Sequence, residues 1–248
     1  MFRRKNVIEM NDIAIEIKNL TKSFMVDRMH YGFKNIIMHL PQYIQDRRSR
    51  QVRTVLDHID LTIRRGDRVG LTGPNGCGKT TLLSVIGGVY KSFSGSLSIN
   101  GRISMMLALE AGFCSELSGR DNIILNGVLQ GKTRKEMVAL MEDIIDFADI
   151  GDYIDAPVFQ YSSGMQARLG FGIVTAIQPD ILLVDEVMSV GDADFTRKSE
   201  QRINNLLQKG CTLILVSHNR GDIEKYCQRE IRLENGKIIY DGDVVRGG

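Results

Sequence analysis

Between Arg68 and Ile86 the chain runs through a short apolar stretch, a glycine-rich turn and an apolar continuation. The stretch is Arg68-Val-Gly-Leu-Thr72, the turn is Gly73-Pro74-Asn75-Gly76-Cys77-Gly78-Lys79-Thr80, and Leu82, Leu83 and Ile86 come next. The turn fits G-x-x-x-x-G-K-[ST] in the strand–loop–helix setting that the pattern requires. Its residue types follow from chemistry. Glycines let successive backbone N–H groups turn inward onto phosphate oxygens, and the start of the next helix adds its positive end. Gly73 through Thr81 are therefore the expected cradle for a nucleotide. Lys79 should reach its terminal phosphates, and Thr80 should place a hydroxyl on Mg²⁺. Strands alternating with helices along the chain argue for an α/β fold with a largely parallel sheet.

The rest of the chain agrees with that fold. Ile13–Lys18, Val55–Ile63, Ile181–Val184 and Thr212–Val216 read as strands, and residues 196–208 as a helix. Residues 96–104 read as a hairpin turning at Asn100-Gly101, and the C-terminal segment as another turning at Asn235-Gly236. Residues 115–176 have helical periodicity. There Thr133-Arg-Lys-Glu136 is a capping box, and Met137, Leu140, Met141, Ile144, Ile145 and Ala148 share one face. The expectation is a single domain over residues 1–248: a mostly parallel core sheet, an N-terminal antiparallel β part and a helical lobe at about 115–176.

A second acidic site is indicated by the apolar strand Ile181-Leu-Leu-Val, which ends in Asp185-Glu186. Ligands of open α/β sheets bind at the carboxyl ends of strands, so both acids are expected to face the glycine loop. Asp185 would hold Mg²⁺ through water, and Glu186 would orient or deprotonate the attacking water. Taken alone, the pair is equally a solvated strand end.

Composition narrows the class. The 248 residues include 32 Lys and Arg against 30 Asp and Glu, a net charge of +2, which argues against a chain built around nucleic-acid phosphates. No apolar run approaches the ~18 residues of a membrane helix. Cys77, Cys114, Cys211 and Cys227 are too scattered for a zinc site or a disulfide frame. The N-terminus lacks the apolar core of a signal peptide, so reduced, cytosolic thiols are expected.

Tyr161-Ser162-Ser163-Gly164-Met165, followed by Gln166 and Arg168, resembles the signature motif of ABC-type ATPases. Its place between the phosphate loop and Asp185-Glu186 strengthens the likeness. The resemblance spans residues 10–245. It implies a P-loop NTPase of ABC ATPase type that uses ATP and Mg²⁺ and works as a homodimer. Ser162, Ser163 and Gly164 would contact the nucleotide held by the other subunit. Val190-Gly191-Asp192 resembles the D-loop at the dimer seam, with Asp192 near the nucleotide. His218 in Ser217-His218 is similar to the switch histidine at the γ-phosphate, which places it with Lys79 and Glu186 among the catalytic groups. Phe24 in Thr21-Lys-Ser-Phe24 looks like the aromatic that stacks on adenine, although alone it reads as core. The glutamine usual between the hairpin and the helical lobe is missing; in Ser104-Met-Met-Leu-Ala-Leu-Glu110, Glu110 is the nearest polar substitute as a metal ligand.

Several stretches together are similar to ATPases of bacterial polysaccharide exporters of the O-antigen, capsule and teichoic-acid kind. They are Ala111-Gly-Phe113 through Asn122, the signature, and Glu186 through Phe195. The implied partners are a transmembrane permease and a lipid-linked polysaccharide. The implied location is the cytoplasmic face of the bacterial inner membrane, and the implied product is a motor with no room for a carbohydrate-binding domain. An importer ATPase, or a soluble ABC protein acting on ribosomes or DNA, is the rival reading.

Residues 28–53 form a basic insertion, with Arg28, Lys34, Arg47, Arg48, Arg50 and Arg53 against Asp46. Met29, Phe33, Ile36, Ile37 and Leu40 recur at helical spacing ahead of Pro41. The expectation is an amphipathic helix toward anionic lipid, weighed against a helix that covers its own domain. Cys77, beside a helix N-terminus, is expected to be an alkylation-sensitive thiol that bound ATP protects.

Overall fold

The computed structural model describes residues 12–26, 51–106, 112–185 and 192–246. Glu110, Glu186, Val190, Gly191 and residues 28–50 of the basic insertion lie outside the described residues. Two sheets and a helical lobe make up the fold. The smaller sheet pairs β1 (Ile13–Val26) with β2 (Gln51–Arg64) on one side and β4 (Ser94–Ile99) on the other, all antiparallel. β1 buries Ile15 and Ile17 and turns Lys18 to solvent, the alternation of a half-covered strand. Gln51–Arg53, read from the sequence as the end of the basic insertion, form the start of β2.

The larger sheet has the order β5-β6-β7-β3-β8-β9. Its strands are β3 (Arg68–Thr72), β5 (Ile103–Met105), β6 (Ile181–Asp185), β7 (Thr212–Val216), β8 (Arg229–Glu234) and β9 (Lys237–Asp243). The first five in that order are parallel, and β9 returns antiparallel on β8. The inner strands β6 and β7 read as unbroken apolar runs, as strands covered on both faces should.

The two Asn-Gly pairs behave differently. Asn235 and Gly236 both have positive φ, 49° and 77°, and turn β8 tightly into β9 as expected. Asn100-Gly101 does not form the expected hairpin: β4 belongs to the small sheet and β5 to the large one. Asn100 is held by β1, its backbone N–H donating to Ala14 O and its Nδ2 to Ile13 O. Past Gly101 (φ 143°), the Arg102 N–H donates to Asp180 Oδ2 at 2.8 Å. The turn residues therefore pass the chain from one sheet to the other, and long-range partners override the local signal.

The helical lobe holds α2 (Gly119–Leu129), α3 (Arg134–Ala148) and α4 (Ser163–Ala176); α1 is the helix after the glycine loop, Lys79–Ile86. The capping box is formed, with Thr133 and Glu136 bonding each other's backbone N–H. Met137, Ile144 and Ala148 are buried, and Leu140, Met141 and Ile145 pack on the same cluster. Where the lobe meets the core, Phe147 stacks on Phe171 at 5.5 Å, and both rings meet Phe195 edge-on. Phe195 lies on α5 (Ala193–Gln208). A second cluster, between the two sheets and α1, includes Ile15, Leu56, Ile63, Leu71 and Leu83. Among the described residues no helix is long and apolar enough to cross a membrane.

Candidate active site

Register fixes the floor of the site. On β7, Val216 is level with Leu71 of β3 on one side and with Asp185 of β6 on the other. Three adjacent parallel strands thus end together, and the glycine loop, Asp185 and His218 converge at their carboxyl ends. They open into a cleft of about 660 Å³ lined by Phe24, Asn75, Gly76, Gly78, Lys79, Thr80, Thr81, Asp185 and His218. Arg53, Val55 and Val216 complete the lining.

The loop owes its shape to three glycines. Gly73, Gly76 and Gly78 have φ of 138°, 76° and 113°, values that side chains disfavour. Gly73 also leaves no space: a Cβ there would lie 2.1 Å from Leu233 O of β8. The hairpin at Gly236 supports the loop from the same side. Its N–H donates to Cys77 O at 3.2 Å, while its carbonyl accepts from the Asp57 N–H of β2 at 2.9 Å.

Lys79 is buried, and its Nζ donates to Gly73 O at 2.8 Å and Pro74 O at 3.1 Å. An ammonium held by two carbonyls of the glycine loop is suited to phosphate oxygens, which would replace those carbonyls. The Thr80 hydroxyl donates to Asp185 Oδ2 at 2.9 Å. Hard oxygen donors at the rim of a phosphate cradle suit Mg²⁺, which keeps several waters and takes few protein ligands. Among the described residues, no group of three or more His, Cys, Asp or Glu forms an all-protein metal cage.

Phe24 stands in the cleft wall, held by its own strand. Its ring meets Tyr90 edge-on at 5.2 Å, and Lys22 Nζ lies 4.8 Å from its centroid. Lys22 is buried and anchored on Ser92 O at 2.6 Å. Across the ladder Phe24 pairs with Arg53. In the sequence Arg53 reads as part of the basic insertion, and neither Val55 nor Val216 stands out as a site residue. The signal that finds Arg53 is the alternation of β2: extended back from Val55 by two residues, it puts Arg53 on the face of Val55.

Cys77 is buried under the loop, its Sγ 2.9 Å from where a Gly73 Cβ would stand. It supports the cradle from beneath and is absent from the cleft lining.

The signature residues are absent from the lining of this cleft. Ser162 caps α4, its Oγ accepting from the Met165 N–H at 3.3 Å. Ser162 and Ser163 are exposed, and Gly164 has only Ser162 Oγ near its missing Cβ, at 3.8 Å. Asp192 also lies outside the cleft lining. It caps α5 by accepting from the Phe195 N–H at 2.9 Å and pairs with Arg168 of α4 at 2.6 Å. The Phe195 amide and then the Arg168 guanidinium hold its carboxyl below the ordinary range. One chain therefore carries a phosphate cleft and, elsewhere on its surface, an open helix N-terminus with two serines and a glycine.

A family model for ABC transporters matches residues 56–189. Over 234 residues the chain is 40% identical to the O-antigen export system ATP-binding protein RfbB of Klebsiella pneumoniae, spanning 94% of this chain and 95% of that one. It is 41% identical over 228 residues to the protein of the same name from Myxococcus xanthus, spanning 91% of this chain and 52% of that one. The teichoic acids export ATP-binding protein TagH of Staphylococcus haemolyticus is 35% identical over 232 residues, with 94% and 85% of the two chains spanned. Among solved structures, the fold is similar to the dimeric, post-hydrolysis ATP-binding cassette MJ0796 bound to ADP and Pi. That match has a TM-score of 0.72 at 20% identity, over 94% of this chain and all of that one.

Proposed function

The chain belongs to the ABC transporter family, and from that membership we propose that it is the ATP-hydrolysing subunit of an exporter for a lipid-linked, O-antigen-like polysaccharide. The observation that carries the reading is the cleft at the ends of β3, β6 and β7, joined to 40% identity with an O-antigen export ATP-binding protein over nearly the whole chain. The motion is passed to a separate transmembrane permease at the cytoplasmic face of the membrane.

Family membership suggests a role for each group, and position supports it for the described residues. Backbone N–H groups of residues 75–80 and the α1 N-terminus bind the phosphates, and Lys79 neutralises them. Phe24 stacks on the adenine. Thr80 and Asp185 hold Mg²⁺, which neutralises charge on the phosphates when bound. Glu186, next after Asp185 in sequence, orients the attacking water, and His218 faces the γ-phosphate. Ser162, Ser163 and Gly164 complete the site of a second copy. Their absence from the cleft lining of their own chain supports that division, and a twofold pair would complete two sites at once. Asp192, holding α4 to α5, keeps this helix N-terminus in place at the seam. The basic insertion at 28–53 is read, from its charge alone, as the segment that meets anionic lipid.

The test is genetic and biochemical together. In a strain whose own copy is deleted, the wild-type chain restores surface polysaccharide, whereas Lys79→Ala leaves lipid-linked glycan inside the cell. Normal surface glycan with Lys79→Ala would refute the motor role. Restored growth on an imported solute, with glycan unaffected, would favour an importer.

A further inference from the structure

Glu230, on β8, is the most buried charged side chain among the described residues, at 1% exposure. Its carboxylate accepts three hydrogen bonds: from Arg220 Nη1 at 2.7 Å, Thr72 Oγ1 at 2.8 Å and Arg232 Nη2 at 3.2 Å. A buried ion pair adds little net stability, because desolvation offsets the attraction, but removing one partner is costly. What such a group does supply is fixed geometry, so the positions of its partners matter.

Thr72 is the last residue of β3 and immediately precedes Gly73 of the phosphate loop. Arg220 is the first residue of α6 (Arg220–Tyr226), two positions after His218. The stretch between β7 and α6 is itself tightly bonded. Ser217 Oγ donates to Asp222 Oδ2 at 3.0 Å and accepts from the Asn219 N–H at 3.0 Å, and Asn219 Oδ1 accepts from the Gly221 N–H at 2.9 Å. Residues 217–222 are therefore tied to one another, and Arg220 joins that stretch to Glu230. Arg220 is steadied in turn by Glu224 at 3.2 Å and by the Val245 carbonyl. One carboxylate thus joins the root of the phosphate loop to the segment that carries His218.

We propose that Glu230 and Arg220 are positioning residues that set His218 against the phosphate loop. The inference rests on the reading of His218 as the γ-phosphate contact. It adds that His218 is held from β8 rather than by β7 alone. Neither residue lines the cleft.

The experiment is a double-mutant cycle on the full chain, with ATP affinity, steady-state kinetics and melting temperature measured together. Glu230→Gln keeps the shape and loses the charge. Small misplacements of a reacting group far from the mutated site can cost roughly 10²-fold, so kcat should fall about ten- to a hundredfold. ATP affinity and KM should stay within about twofold. In a His218→Ala background the same substitution should cost little more, because groups acting as a unit are non-additive. Arg220→Lys should recover part of the kcat lost in Arg220→Ala. If Glu230→Gln fails to fold, the Arg220 pair decides alone.

The inference is overturned if Glu230→Gln leaves kcat unchanged well below its melting temperature, or if its loss adds in full to that of His218→Ala. His218→Ala at near wild-type kcat would instead sink the reading of His218 itself.

Discussion

The Thr80 hydroxyl donates to the Asp185 carboxylate at 2.9 Å, joining the start of α1 to the end of β6 across 105 positions of sequence. Both groups line one cleft. The pair holds two oxygen donors where a hydrated divalent cation would bridge protein and phosphate. Asp185→Asn keeps the shape and loses the charge. Removing a partner of a hydrated metal commonly costs 10–100-fold, so the Mg²⁺ needed for half-maximal turnover should rise by roughly that factor. Metal-free ATP binding should change little. A Mg²⁺ titration of ATPase activity checks it, and an unchanged midpoint would remove Asp185 from the metal site.

Gly73 and Gly76 both have positive φ, yet they predict different outcomes. Alanine at Gly76 has no atom within 4 Å and faces only the left-handed backbone penalty, about 1–2 kcal/mol. Alanine at Gly73 collides with the Leu233 carbonyl, so the loop must move. Gly73→Ala should abolish nucleotide binding and lower the melting temperature. Gly76→Ala should keep the fold and show the smaller thermal loss. Melting curves with and without ATP separate the two.

The four thiols should react in a set order. Burial pushes Cys211 up to about 11 and Cys227 up to about 12, so both stay protonated and inert near neutral pH. Cys114 is half-buried and should be alkylated first, without loss of activity. Cys77 is buried, so it should react slowly, with inactivation following its modification and with ATP protecting. Peptide mapping by mass spectrometry against residual activity tests this. Inactivation that tracks Cys114 would contradict it.

Glu186→Gln should bind ATP normally, turn over poorly and accumulate as an ATP-bound dimer. Gel filtration with ATP, beside an ATPase assay, reads both properties. Near-normal hydrolysis would remove Glu186 as the catalytic carboxylate.

Much of this site is legible in the sequence because its chemistry lies in contiguous residues. The glycine loop, the Asp185 strand end and the Ser162 helix start each announce themselves within a few positions. The hidden part depends on pairing between distant strands. Arg53 reads as part of a basic segment until β2 is set against β1, which places it across from Phe24. Asn100-Gly101 and Asn235-Gly236 are the same dipeptide, and only the partners of the flanking strands make one a sheet crossing and the other a hairpin. Glu230 carries no motif at all, since its meaning comes from Thr72 and Arg220, the first of them far away in sequence.

Acid should undo the Glu230 network in a defined window. Burial raises the affinity of this carboxyl for protons, but hydrogen bonds from Arg220, Thr72 and Arg232 outweigh it and hold the group below 4.5. A carboxylate with a depressed folded pKa contributes stability above its unfolded pKa and loses it as pH falls through the folded value. Glu230→Gln should therefore be less stable than the wild-type chain near neutral pH, and the gap should narrow below pH 4.5. Denaturant midpoints at a series of pH values measure this. A gap that persists unchanged into strong acid would mean the charge contributes nothing.

The phosphate loop is braced from behind by Leu233 and Gly236, which the ribosome makes long after the loop itself. A nascent chain can extrude Gly73 through Thr80 early and still lack the surface that shapes them. Competence to bind nucleotide is therefore expected to arrive only after the β8–β9 hairpin has docked, and a chain cut before Arg229 should show no thermal shift with ATP.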